Sequence, residues 1–167
     1  MRIVFTKGAV RDTVGLTRAD GSTAAFEFPH KGPTPHDAFH LFVERELGMT
    51  RGFWGLVAAG AEPEAIGRMA AAGGHASASR AREPDADIVE LIQAERLVEC
   101  FEAESWSGAA DDEDIRLMAR AGWQASHVPE LAIEPRSIAA IRQATQAFAG
   151  EWSALPLAGE IALDWPE

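Results

Sequence analysis

Asp12-Thr13-Val14-Gly15-Leu16-Thr17-Arg18-Ala19-Asp20-Gly21-Ser22-Thr23-Ala24-Ala25-Phe26-Glu27-Phe28 is the stretch whose reading decides the fold. Residues 12–18 and 23–28 carry alternating β-branched and aromatic side chains and flank Ala19-Asp20-Gly21-Ser22, a turn sequence, so they read as two strands of a hairpin. Loop length then fixes the register. A two-residue Asp20-Gly21 loop would set Leu16 opposite Ala25 and Val14 opposite Glu27, mixing apolar and charged residues on one face. A three-residue loop, Ala19-Asp20-Gly21 with Gly21 left-handed, sets Val14 opposite Phe26 and Leu16 opposite Ala24. Only the second leaves one face apolar, and it is the register expected.

Working outward, Arg2 to Lys7 is a third strand, β-branched and aromatic. At the other end Ile161, Leu163 and Trp165 alternate with Glu160, Ala162 and Asp164, the period of a half-buried strand. An isolated strand cannot satisfy its backbone, so 160–165 is expected to join the N-terminal sheet. Between the two ends the period is helical. Thr34-Pro35-His36-Asp37 reads as a helix start, with Thr34 as N-cap and Pro35 in the first turn. Phe39, Phe42, Val43 and Leu47 form the apolar stripe of that helix, and Gly48 ends it. Phe53, Leu56 and Val57 sit in a short helix ending at Gly60. Glu62-Pro63 opens another that runs through Ile66 and Met69, and Pro84-Asp85 a long one reaching about Ser105. Asp111-Asp112-Glu113-Asp114 places acids at a helix N-terminus, where the macrodipole favours them, with the end near Gly122. Pro135 opens the last helix, with Ile138, Ile141 and Phe148 inward. Strands at both ends and helices between them make this an α+β fold: a small antiparallel sheet with a helical bundle packed on one face. The chain is expected to be a single domain over 1–167. Residues 73–84 carry no large apolar side chain and are expected to be a mobile, linker-like loop.

At 167 residues the chain is long enough to bury a core without disulfides or metal staples. Its 15 Lys+Arg against 26 Asp+Glu give a net charge of -11, a surface that repels nucleic acid and anionic membrane alike. The single Cys100 rules out an intrachain disulfide and any four-thiolate site within one chain. Acids flank it in the sequence, which raises its pKa and argues against a reactive thiolate. The apolar run after Met1-Arg2 is too short for a signal peptide, and no stretch approaches the roughly 20 apolar residues of a membrane helix. A cytoplasmic location is expected.

One segment could carry chemistry. His36, His40 and Glu44 stand four residues apart on one helix and form a slanted row, the histidines at the edge of the apolar stripe and Glu44 further out. Two imidazoles at i and i+4 can bind one ion, and a carboxylate a turn later can add a third ligand. His36-Asp37-Ala38-Phe39-His40 also resembles the His-Glu-x-x-His zinc-protease motif with its acid one carbon shorter. Asp37 equally suits a helix start, so capping alone accounts for it. A second row, Glu95, Glu99 and Glu102, lies on the long helix beside Ile88 and Ile92. Three like charges on one helix read as a solvated face, unless that face meets His36 and His40, in which case Glu95, Glu99 or His127 is the first candidate for a further ligand. Ser105-Trp106-Ser107-Gly108 lacks the glycine frame of a nucleophile elbow, and Gly52-Phe53-Trp54-Gly55 has no phosphate-loop pattern.

Pro35-His36-Asp37-Ala38-Phe39-His40-Leu41-Phe42-Val43-Glu44, followed by Gly52-Phe53-Trp54-Gly55, resembles segments of small uncharacterised bacterial proteins that carry no assigned activity. The likeness covers chiefly residues 35–60 and implies no catalytic role and no ligand. The sequence thus leads to a binding or interaction module whose partner is a protein or a small molecule, with a homodimer among its open forms. The competing reading is a metal-dependent hydrolytic enzyme. There His36, His40 and Glu44 would hold a divalent ion such as zinc, and Asp37 or a bound water would act as base.

Overall fold

Gly21 adopts φ 83°, the left-handed conformation that the three-residue loop requires. Val14 consequently pairs with Phe26 and Leu16 with Ala24. The structure is a computed structural model and describes residues 1–29, 32–72, 83–108 and 110–166. Its sheet holds β1 (Arg2–Thr6), β2 (Arg11–Thr17), β3 (Thr23–Pro29) and β4 (Glu160–Asp164), in the order β3-β2-β1-β4. Every neighbouring pair is antiparallel. Ile3, Phe5, Val14, Leu16 and Ile161 are buried along one face. The other face alternates out to solvent or half-burial, as period two dictates. β4 joins β1 with Phe5 opposite Ile161. The end of the pairing is latched twice: Trp165 N–H donates to the Met1 carbonyl at 2.8 Å, and the Met1 amino group donates to the Trp165 carbonyl at 3.0 Å.

The helices between are α1 (His36–Leu47), α2 (Phe53–Ala58), α3 (Pro63–Ala72), α4 (Val89–Ser107), α5 (Asp112–Ala125) and α6 (Pro135–Ala154), with one 3-10 turn at Ala86–Ile88 leading into α4. They cover the apolar face of the sheet, where Phe5 meets Trp54 of α2 and Phe148 of α6 edge to face. α1 is the central helix: it touches α2, α4 and α6. That position buries it on most sides, and Ala38 through Glu44 are buried without a break. None of the described helices is long and apolar enough to cross a membrane.

Two boundaries differ from the sequence reading. Thr34 is not the N-cap of α1; Pro35 takes that position, with no side-chain cap bond, and the helix starts at His36. A residue before proline is disfavoured in the helical region, and Thr34 lies in the bend that precedes α1. α5 runs to Ala125 rather than Gly122. Its N-terminus is a capping box between Asp111 and Asp114, so the acidic run there is explained by helix initiation. Gly48 ends α1 at φ 63° as expected. Ile138, Ile141 and Phe148 are buried. Of the stretch expected to be mobile, 73–82 lies outside the described residues.

Candidate metal centre

The i, i+4 spacing sets His36 above His40 on the side of α1 that faces α4. Their Nε2 atoms lie 3.2 Å apart. From α4, Glu95 brings Oε2 to 3.1 Å from His40 Nε2 and 3.6 Å from His36 Nε2. His36, His40 and Glu95 are the metal-ligand group found among the described residues, with their ligand atoms all within 4.8 Å of one another. The acidic row on α4 does meet the histidine row on α1. Glu102, two turns along from Glu95, accepts from His36 Nδ1 at 2.9 Å. Glu99 turns to Arg96 at 2.8 Å.

Glu44 is placed differently from its expected position further out: it is fully buried. Its carboxylate lies on the opposite side of the His40 ring, accepting from Nδ1 at 3.0 Å. It also accepts from the backbone N–H groups of Phe53 at 3.0 Å and Trp54 at 2.8 Å. Glu44 thus caps α2, whose own N-cap residue, Gly52, has no side chain to offer. Gly52 is required by that approach, because a Cβ there would lie 2.5 Å from the Glu44 Cδ and Oε2 atoms. Gly55 is held by the same corner, where a Cβ would run into the carbonyls of Met49 and Thr50. The two separated segments that drew attention in the sequence are therefore one unit, joined by a buried carboxylate. Asp37 is outside the ligand group of His36, His40 and Glu95; its carbonyl accepts from Trp54 Nε1 at 2.9 Å, and the residue lines a cavity beside the histidines. His127 is exposed, in the turn after α5.

An ionised carboxylate only accepts hydrogen bonds, so Glu44 and Glu102 each require a hydrogen on Nδ1 of the ring they touch. In neutral rings this leaves both Nε2 lone pairs facing one another and Glu95. Three acceptors then converge on one point, an arrangement that a cation or a donated hydrogen relieves. Protons do so in part. Burial opposes charge on His36, but its bonds to Glu102 and Glu95 prevail and push it up to about 9. Burial likewise opposes charge on His40, and Glu44 and Glu95 prevail, pushing it up to about 10. Glu95 is held well below the ordinary carboxylate range: burial would raise it, but the bonds to His36 and His40 win. A hydrogen on either Nε2 can point to Glu95 Oε2, which lies 3.1 Å from His40 Nε2 and 3.6 Å from His36 Nε2.

Two cavities border the group. One, of about 270 Å³, is polar and includes Glu95, Glu99, Glu102, Ser105 and the exposed Trp106. The other, of about 190 Å³, reaches His36, His40 and Glu95 from the opposite side and is walled chiefly by apolar residues of α2, α3 and α4. Cys100 is buried, with its thiol pushed up to about 11 by that burial and by Glu99, against the opposing pull of Arg96.

Sequence reasoning found both histidines, took Glu44 as the third ligand and named Glu95 among the candidates for a further one; the structure puts Glu95 beside the two Nε2 atoms and Glu44 behind the His40 ring. No family model matches the chain, and neither a curated protein nor a solved structure matches it.

Proposed function

We propose that the chain binds one divalent ion of the zinc type through His36 Nε2, His40 Nε2 and Glu95, and that it works as a metal-dependent hydrolytic enzyme. One observation carries this reading: the three ligand atoms are already spaced as an ion would space them. Tetrahedral ligands at a zinc–nitrogen bond of ~2.05 Å stand ~3.3 Å from one another. The three separations here are 3.1, 3.2 and 3.6 Å. An octahedral facial arrangement of the same ligands would bring them to ~3.0 Å, which fits less well. The surroundings agree. Each imidazole hands its Nδ1 hydrogen to a carboxylate, the arrangement that orients metal-bound histidines and raises their basicity. Two imidazoles and one carboxylate leave a fourth position for water or substrate, the hallmark of a catalytic rather than a structural zinc site. An ion there supplies Lewis acidity and a water acidified toward neutrality. These features favour an enzyme over the interaction module expected from sequence.

The test is calorimetric titration of zinc into protein purified without a histidine tag and stripped with chelator. One equivalent is expected to bind, with loss of binding in His40→Ala and Glu95→Gln. The zinc-loaded chain is expected to hydrolyse 4-nitrophenyl acetate faster than zinc alone, and Glu95→Gln to remove the excess. If zinc neither binds nor raises the melting temperature, and His40→Ala destabilises equally with and without it, the group is a proton-held staple between α1 and α4.

A further inference from the structure

Thr145 stands on α6 with only 7% of its surface exposed, and its Oγ1 is buried with no hydrogen-bond partner among the described residues. Inside a helix a threonine hydroxyl has one partner always at hand, the carbonyl four residues back, and here that bond to Ile141 is not made. A buried hydroxyl left alone is rare in a native fold, because nothing offsets its desolvation. Thr145 lies against a cavity of about 340 Å³ between α1, α4 and α6, the size of a small-molecule site. Arg142, Thr145, Gln146 and Ala149 line it at the i, i+3, i+4, i+7 spacing of one helix face. Phe39 of α1 and Phe101 of α4, both buried, form apolar wall opposite them. The charges at the wall are closed on themselves. Arg142 Nε donates to Glu104 at 2.9 and 3.0 Å, and its other nitrogens donate to the Asp112 carboxylate and the Ala110 carbonyl. Arg142 and Glu104 are the charged residues that line the cavity, one of each sign, and they are paired with each other. The cavity therefore offers apolar walls, no unpaired charge, and one buried hydroxyl beside it that lacks a partner.

We propose that this cavity binds an uncharged small molecule with an apolar body, aryl or branched alkyl, and a single hydrogen-bonding group that pairs with the Thr145 hydroxyl. Phe39 and Phe101 enclose the body. Threonine populates two χ1 rotamers in a helix, so one torsion turns the hydroxyl to the polar atom of the ligand without moving α6. A charged group on the ligand is disfavoured, because its desolvation finds no free counter-charge at the wall. The site is separate from the metal centre, since His36, His40 and Glu95 do not line it. Thr145 carries the cost of an unpartnered hydroxyl in the ligand-free chain and recovers it when the ligand is seated.

The test uses metal-free protein, so that it is independent of zinc. Benzyl alcohol, benzoate and ethylbenzene, which has a methyl in place of the hydroxyl, are titrated, and binding is read from the backbone amide signals of Phe101, Thr145 and Ala149. Benzyl alcohol is expected to shift these signals, and benzoate to bind about tenfold or more weakly. Thr145→Val removes the hydroxyl at nearly equal shape. It is expected to raise the melting temperature of the ligand-free chain by about 2–4 °C, because a buried group without a partner is gone. The same change is expected to weaken benzyl alcohol about fivefold and to leave ethylbenzene bound at least as tightly. A threonine with only a structural role would not separate these two ligands. Ala149→Phe, at a half-buried position on the same helix face, is expected to fill the cavity and abolish binding in a chain that still melts cooperatively. The proposal is overturned if benzyl alcohol leaves these signals unmoved, if benzoate binds as well, if Thr145→Val weakens both neutral ligands alike or neither, or if Ala149→Phe binds benzyl alcohol unchanged. Failure of zinc to bind, with benzyl alcohol still bound, defeats the metal centre and leaves this site standing. Zinc binding without benzyl alcohol binding does the reverse.

Discussion

Glu44 sets a carboxyl group where no water reaches it, and three donors, Phe53 N–H, Trp54 N–H and His40 Nδ1–H, satisfy its oxygens. Its neighbour His40 is buried as well, yet His40 and His36 are pushed up to about 10 and about 9 by the carboxylates around them. The sign of the pH dependence follows. Both folded values lie above the ordinary value of 6.5, so the stability these histidines contribute is complete below pH 6.5 and is lost as pH rises through 9 to 10. Glu95 is lowered from 4.5, so its contribution is complete above that pH and lost below it. Metal-free protein is therefore expected to be most stable between about pH 4.5 and 6.5 and to weaken steadily toward pH 10. Zinc competes with protons for the same nitrogens, so the increment it adds should grow over the range in which the metal-free protein weakens. Urea unfolding at a series of pH values, with zinc and with chelator, measures both slopes. In His40→Ala the zinc increment should vanish at every pH. The sequence showed that two histidines share a helix side. It could not show which nitrogen faces which acid, because that depends on where α4 docks.

α1 explains why helical phase misplaced Glu44. A phase argument assumes one wet side, and α1 has α2, α4 and α6 around it. The position that periodicity assigns to solvent is instead taken up by the N-terminus of α2. The acidic row on α4 could be read only conditionally, for a related reason. Like charges along one helix look solvated until a basic partner arrives, and here the partner, His36, is 66 residues from Glu102 in sequence. What could be read locally was read: the hairpin register, Gly48 ending α1, and the acidic start of α5. At the joint between α1 and α2, Gly52→Ala is expected to force Glu44 away from the Phe53 and Trp54 amides. The cost should be about 2–4 kcal/mol, combining overpacking with lost charged hydrogen bonds. Zinc affinity should fall by about 10–100-fold at the same time, because His40 loses the carboxylate that orients it. Gly150→Ala on α6 is the control. A Cβ there meets nothing within 4 Å, so it should stabilise by about 0.5–1 kcal/mol and leave zinc affinity unchanged. Urea midpoints and zinc titrations of the two variants decide the matter; equal effects would mean that the Glu44 corner is not what joins the helices to the centre.

At the scale of the whole molecule, the two ends of the chain build one sheet, and that sheet is the floor on which the helices carrying His36, His40 and Glu95 stand. Phe5 on β1 touches Trp54, and Trp54 donates its backbone N–H to the Glu44 carboxylate, so a line of direct contacts runs from the sheet to His40. β4 is an edge strand, but not a dispensable one. It buries Ile161 against Phe5, and beyond it Trp165 is buried and bonded to Met1. The loop before it is also tied in, with Lys7 N–H donating to the Gly159 carbonyl at 2.9 Å and Ala158 N–H to the Lys7 carbonyl at 2.7 Å. Full burial of a large apolar side chain contributes roughly 1.5–3 kcal/mol. Two such residues and the half-buried Leu163, with the ladder they bring, amount to a large part of the roughly 5–15 kcal/mol by which a domain is stable. Deleting 160–167 is therefore expected to abolish cooperative unfolding rather than merely trim an edge, although the described residues among them lie on the sheet and not in the group around the histidines. The same deletion uncovers the full edge of β1, so whatever compact species remains should self-associate through it. Circular dichroism melts and light scattering of the truncated chain measure both effects. Zinc should not rescue it, because binding stabilises only a state in which α1 and α4 are already docked, and about 2.7 kcal/mol is available even at a hundredfold excess over Kd. A truncated chain that melts cooperatively and still takes up one equivalent of zinc would show that the helices hold the centre by themselves and that the sheet contributes only to the outer face of the molecule.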